Sequence, residues 1–274
     1  MAVTTHSGRI RVRPLTKANL SIQVTLIGLT LLTIYSFTTF DARNINLVEA
    51  LGEMLNSFRL LFFEPHLKNT GWVELWHVLL VTIGLGFLTT IFGAIIAFFL
   101  ALLAAQNLAP RWLAQVIRAG TAVVRAVPTV LWVLFFAVSA GLGSVAAVLG
   151  MTFHSAGYLI KAYSESFEEI EPGVLEALRA SGASWWQTIF QAVLPASASA
   201  LLSWTFVRFE INFSTAIAMG ATAGAGGIGY NMFMASVYYL DLRELGALSY
   251  AILLFAMLLE WLATRMKANL GAKS

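Results

Sequence analysis

Two ionisable side chains, Arg208 and Glu210, interrupt a stretch (196–219) that contains no other charge. At the centre of a hydrocarbon-embedded helix each costs roughly 2.5–3.5 kcal/mol on the insertion scale, so each needs a compensating partner or a polar path to face. Residues two apart point to nearly opposite sides of a regular helix, so the pair cannot neutralise each other. Arg208 shares a face with Asn212, and Glu210 shares one with Ser214. Two readings follow. In the first, Arg208 and Asn212 line a translocation path, where a guanidinium attracts an oxyanion. In the second, both charges lock this helix to its neighbours through buried hydrogen bonds. His154, in another apolar run, reads first as a satisfied polar group between helices and second as a pore residue.

Little else in the chain carries chemistry of its own. Gly224, Gly226 and Gly229, with Gly227 among them, match G-x-G-x-x-G, but a dinucleotide site needs a strand before that pattern. Here an apolar span precedes it, so the glycines read as close helix packing or an irregular segment at the outer mouth. His6, His66, His77 and His154 are scattered and cysteine is absent, so no metal site is expected. No nucleophile–base pair, paired carboxylates or G-x-x-x-x-G-K-[ST] loop occurs. The expectation is therefore a chain with no catalytic residues and no cofactor of its own.

The elements that position these residues must be membrane helices. Of 274 residues 58% are hydrophobic and 11% charged. Soluble domains carry about a quarter charged residues, which excludes a soluble enzyme, a disordered chain and a secreted disulfide scaffold. Apolar runs long enough to cross a bilayer, with at most two charges in each, predict an all-α polytopic protein with about six spans, near 20–40, 78–105, 119–140, 144–162, 196–219 and 245–264. Arg9, Arg11, Arg13 and Lys17 precede the first run without an acid, so 1–19 is read as a cytoplasmic segment and 20–274 as the membrane domain. Arg111, Arg118, Arg125, Arg265, Lys267 and Lys273 then fall inside, whereas the outer loops hold fewer cations: Arg43, Arg59, Lys68 and Arg243. That bias places both termini in the cytoplasm and the chain in the plasma membrane, with lipid and not nucleic acid as its surroundings. Within the external loop 41–76, Asn46 opens an amphipathic helix whose Val48, Leu51, Leu55, Phe58 and Phe62 share a face until Pro65. It reads chiefly as a strap against the spans, and otherwise as a docking surface. Trp72, Trp76 and Trp112 read as interfacial anchors.

The segment 164–195 is the longest polar stretch assigned to the inner face, and it holds five acids: Glu165, Glu168, Glu169, Glu171 and Glu176. Pro172 suits a first helical turn, Gly182 a left-handed helix end, and Ser184 with Gln187 a capping box for a second short helix that Pro195 terminates. Glu176-Ala177-Leu178, then Gly182, then Ala192-Val193-Leu194-Pro195 reproduce the spacing E-A-A, three residues, G, nine residues, I-x-L-P. This resembles the coupling loop of ABC importer permeases of type I. It departs at Leu178 and Ala192, both of which keep apolar character. His154-Ser-Ala-Gly157, Lys161 and Ser164-Glu165 before the loop, and Arg208-Phe-Glu210-Ile-Asn212 and Gly224–Gly229 after it, are similar to the phosphonate-type branch.

The resemblance implies the type I permease fold. It implies that Glu176, Ala177, Leu178, Gly182, Leu194 and Pro195 engage a separate ATPase, which binds the ATP and magnesium. It also implies a homodimer with two ATPase copies and a periplasmic or lipid-anchored binding protein, importing a phosphonate or related phosphorus oxyanion by alternating access. The rivals are a permease for an amino acid or a sulfonate, an ATP-independent secondary transporter, and a membrane-bound enzyme. The secondary transporter predicts inverted repeats, which the sequence does not display, and the enzyme lacks a catalytic constellation.

Overall fold

The computed structural model describes residues 17–39 and 46–271. Most of the N-terminal segment, with Arg9, Arg11 and Arg13, lies outside the described residues, as do Arg43 and Lys273. The chain divides within its second helix into two units, 1–54 and 55–274. The first contains α1 (Lys17–Thr39) and the start of α2 (Leu47–Phe63). No residue of α1 is buried by protein. Its threonine hydroxyls close on their own helix, Thr25 donating to the Ser21 carbonyl at 2.9 Å and Thr30 to Leu26 at 2.8 Å. A lipid-facing helix must satisfy its polar groups in this internal way.

The second unit is built on three long helices: α3 (Trp72–Ala104), α6 (Ser144–Glu168) and α9 (Leu194–Ala223). Without a hydrophobic drive between helices in lipid, small residues let backbones approach until packing holds them. At Gly93 of α3 an added Cβ would stand 2.9 Å from the Ser155 Cβ of α6, and at Gly86 it would stand 3.1 Å from the Phe213 backbone of α9. The outward face of α3 carries exposed Phe87, Ile91, Phe92, Ile95 and Phe99, a surface that only lipid or another protein can cover. Among the described residues every regular element is helical.

Five helices are long and apolar enough to cross a membrane, and a bent pair makes the sixth. The expected span 119–140 is not one straight helix. It divides into α4 (Arg111–Ala126) and α5 (Thr129–Ala140), which meet at 90°. Pro128 is the cause. It pushes Val127 out of the helical region, to φ −86° and ψ 125°, and has no N–H to continue the ladder. Twelve residues of α5 rise only about 18 Å, too little to cross alone.

The second correction concerns Pro195, which does not end the short helix before it. That helix, α8 (Trp185–Thr188), runs through a widened turn (Ile189–Val193) directly into α9. The Leu194 N–H donates to the Ile189 carbonyl, five residues back. The extra residue in the turn lets the chain pass the proline ring without breaking.

The far end of the unit is closed by α10 (Gly227–Phe233), a second widened turn (Met234–Tyr238) and α11 (Leu242–Gly271). Glu244 of α11 is 1% exposed and accepts from the Thr70 N–H at 2.6 Å and the Asn69 side chain at 2.5 Å. Arg243 and Arg59 both pair with Glu64, and the Tyr250 hydroxyl donates to the Phe62 carbonyl at 2.7 Å. The C-terminal part of α2 is thereby strapped to α11.

Gly150 of α6 tests the docking of α5. A Cβ there would lie 2.6 Å from the Val133 Cα. Gly150→Ala should cost about 1–3 kcal/mol by overpacking and lower the melting temperature of the detergent-solubilised protein. A parent-like melt would show that α5 packs elsewhere.

Candidate functional site

The loop between α6 and α9 forms a compact knob. Helix α7 (Pro172–Ala180) begins at Pro172 and is closed just beyond its end by Gly182, whose φ of +81° favours glycine. There the Gly182 N–H donates to the Arg179 carbonyl and the Ala183 N–H to Leu178, a paired closure of the helix end. Ser184 and Gln187 then form the reciprocal capping box that opens α8. Leu175 is buried and anchors α7, while Glu176, Ala177 and Gly182 are exposed and Leu178 is half-buried. Leu194 and Pro195 lie at the start of α9, half-buried and exposed respectively.

Three ties fasten this knob to the turn between α3 and α4. Arg179 donates to the Asn107 carbonyl at 2.6 Å, and the Trp185 indole donates to the Leu108 carbonyl at 2.9 Å. Glu168, at the end of α6, pairs with Arg118 of α4 and accepts from the Gln106 N–H at 2.6 Å. Sequence reasoning named Glu168 and Arg118 only as charges of the inner face and did not reach Asn107 or any of these ties, because no spacing rule links residues fifty or more positions apart.

Inside the bundle, Asn212 is fully buried between three helices. Its amide donates to the Thr90 hydroxyl of α3 at 2.9 Å, and its carbonyl oxygen accepts from the Ser155 hydroxyl of α6 at 2.9 Å. Arg208 is 3% exposed; its Nε donates to the same Ser155 oxygen at 3.0 Å, and its guanidinium carbon stands 5.2 Å from the ring centre of Tyr158. Among the described residues Arg208 has no carboxylate partner. The expectation that Arg208 and Asn212 share a face holds, but in the single chain that face is the packed one. The open face of α9 carries Glu210, Ser214 and Ala218, and with Thr129 and Val130 of α5 it lines a groove of about 620 Å³. His154 faces the bend between α4 and α5, its Nδ1 buried without a well-formed hydrogen bond.

The glycine-rich segment is an irregular connection and a close contact at once. Gly224 ends α9 in a left-handed conformation, and Gly226 and Gly227 also have positive φ. The Ile228 N–H at the start of α10 donates to the Thr82 hydroxyl of α3 at 3.0 Å, and Gly229 packs on the Ile217 carbonyl with no room for a Cβ.

Residues 93–273 match the family model described as "Binding-protein-dependent transport system inner membrane component". The chain is 34% identical over 210 residues to the phosphate-import permease protein PhnE of Mycolicibacterium smegmatis, which covers 75% of this chain but 38% of that protein. It is 31% identical over 183 residues to the phosphite transport system permease protein PtxC of Stutzerimonas stutzeri, covering 66% of each. The chain therefore spans less than two thirds of the length of these relatives. Among solved structures it is similar to the inward-facing MetNI methionine ABC transporter, with TM-score 0.63 and 20% identity over 71% of this chain and 95% of that one. It is equally similar to a bacterial alginate ABC transporter, with TM-score 0.63 and 14% identity over 92% and 98%. At these identities the likeness establishes the fold, that of a type I ABC importer permease.

Asn212→Leu should leave the Thr90 and Ser155 hydroxyls without this partner in a dry site, at about 1–3 kcal/mol. Ser214→Ala, on the open face, should change stability by less than about 0.5 kcal/mol. Thermal melts of the two variants compare them, and equal losses would remove Asn212 from the packing role.

Proposed function

Because this chain belongs to the family of binding-protein-dependent transport system inner membrane components, we propose that it is the permease subunit of an ATP-driven importer for a phosphonate or related phosphorus oxyanion. The observation that carries the reading is the knob: the Glu176–Pro195 pattern folds into an exposed surface bound rigidly to three spans. Such a surface is what a separate ATPase needs in order to move the spans. The named relatives carry phosphate and phosphite, which supports a phosphorus oxyanion as the substrate class. A related solved structure holds a substrate-bound periplasmic protein, which supports a binding protein as a partner.

On this reading the chain hydrolyses nothing. Two ATPase copies bind ATP and magnesium, and each docks on Glu176, Ala177, Leu178 and Gly182 of one permease copy in a homodimer. Closure of the ATPases pushes on α7. Arg179 and Trp185 carry the push to the turn between α3 and α4, and the continuous helix from Trp185 to Ala223 carries it to the centre of the membrane. The open face of α9 with Glu210 and Ser214 then faces the second copy and the path. Arg208 and Asn212 stand in the wall behind it, and the charge of Arg208 favours an anion across a low-dielectric distance. His154 acts at the bend that ends α4. The glycines 224–229 form the outer mouth, and the face with the knob is cytoplasmic, as are both termini.

Proteoliposomes containing this chain, its ATPase and its binding protein test the proposal. Uptake of phosphate, phosphite, methylphosphonate or a sulfonate should require ATP for at least one phosphorus oxyanion. Glu176→Lys should abolish that uptake, and Gly182→Pro should abolish co-purification with the ATPase. Uptake that ignores ATP and survives Glu176→Lys would sink the importer reading in favour of a secondary transporter. ATP-driven uptake of the sulfonate alone would overturn the substrate class.

A further inference from the structure

Where α4 passes α6, a cavity of about 200 Å³ is lined by three cations, Arg118, Arg125 and Lys161, and by one acid, Glu165. Their charges are not equivalent. Arg118 is paired with Glu168, and Lys161 lies 3.4 Å from Glu165. Arg125 has no carboxylate partner among the described residues; its guanidinium carbon stands 5.9 Å from the ring centre of Tyr158. The same ring is the neighbour of Arg208, at 5.2 Å. Two guanidiniums without acids thus flank one aromatic side chain, one deep in the bundle and one at the cavity. Ring quadrupoles offset part of that charge, by about 0.5–2 kcal/mol per contact, and do not neutralise it.

A second observation concerns Thr121, which also lines the cavity. It is 7% exposed, and among the described residues its hydroxyl makes no hydrogen bond. The hydroxyl oxygen itself is accessible rather than sealed in, and so is free to donate to a molecule in the cavity. The volume holds several waters at about 30 Å³ each, and so accommodates a tetrahedral oxyanion.

We propose that this cavity is an oxyanion site, with the Arg125 guanidinium and the Thr121 hydroxyl as donors and Arg118 and Lys161 as supporting charges. The ligand chemistry is a tetrahedral phosphorus oxyanion. Such a group arrives either as a free anion leaving the bundle past Arg208 or as the phosphodiester of a lipid headgroup. The donor set and the cavity stand independently of the transport reading; only the route of a free anion past Arg208 rests on it.

The test uses the purified full chain in nanodiscs and reads binding directly. In zwitterionic phosphatidylcholine discs, calorimetry with inorganic phosphate and with methylphosphonate measures the free anion. In discs containing phosphatidylglycerol, native mass spectrometry counts retained anionic lipid. Arg125→Gln should weaken one of these ligands about tenfold or more. The near-isosteric Thr121→Val should weaken the same ligand several-fold, and Arg111→Gln, on the same helix but outside the cavity, should change neither. Loss confined to the phosphate arm identifies a free anion, and loss confined to the lipid arm identifies a headgroup; both support the site. Parent-like binding by Arg125→Gln and Thr121→Val in both arms overturns it, as does an equal loss with Arg111→Gln. Should Arg125→Gln fail to fold, Arg125→Lys, which keeps the charge, and Thr121→Val decide the matter. Failure of ATP-driven uptake with anion binding intact would remove the importer reading and leave this site standing.

Discussion

An amide with no access to water must find all its partners within the protein, and Asn212 does so at the meeting point of α3, α6 and α9. Much of the bundle's architecture is consistent with that requirement. Thr90 and Ser155 must present hydroxyls to one point, which fixes the rotation of two helices about their axes. Those helices must also come close, and Gly93 lies directly against Ser155 where a side chain would hold them apart. Arg208 joins through the same Ser155 oxygen, so a buried cation is added to a network already assembled rather than accommodated separately. In hydrocarbon, where apolar side chains gain nothing by leaving lipid for one another, such a node supplies orientation that greasy packing does not.

The second constraint is continuity. A conventional proline break at Pro195 would insert a hinge between the knob and the spans. The widened turn at 189–193 keeps one helix from Trp185 to Ala223 instead. The cost of an irregular turn is balanced by burial of Ile189, Ala192 and Val193 in the same core as Phe167 and Leu102. At Pro128 the opposite solution appears: the chain bends by 90°, and α4 becomes a short arm held by Arg118 to the end of α6. One proline is passed by a continuous helix and the other makes a corner.

Much of this was legible in the sequence, for definable reasons. Helix ends are local, so Pro172, Gly182 and the Ser184–Gln187 pair announced the knob residue by residue. Apolar length is local too, and located five spans well. The corner at Pro128 was missed because a long, largely apolar run outweighed a single proline in the reading, although the extended preference of the residue before it was there to be used. Pro195 was misread the other way, since nothing in the sequence distinguishes a helix that stops from one that widens by a residue. The partners of Arg208 and Asn212 were beyond reach. Ser155, Thr90 and Tyr158 are ordinary residues of apolar helices, and only the three-dimensional rotation of α3 and α6 brings them to one place.

The two charges of α9 now separate by environment. Glu210 faces an open groove where water or a second copy can solvate it, so its charge is cheap. Arg208 is enclosed, and its Nε bond and the Tyr158 ring offset only part of the cost of a buried cation. A protein gains no stability from a cation held that way, because a hydrophobic residue of similar volume would pack as well. Among the described residues the positive charge of Arg208 is therefore held in the packed wall of the bundle with no carboxylate to balance it. With Arg125 at the same ring but reachable from a cavity, two guanidiniums without a carboxylate partner among the described residues stand in line, one inside the bundle and one at its cavity. For an anion that line lowers the barrier of a dry interior, and for a cation of equal size it raises it.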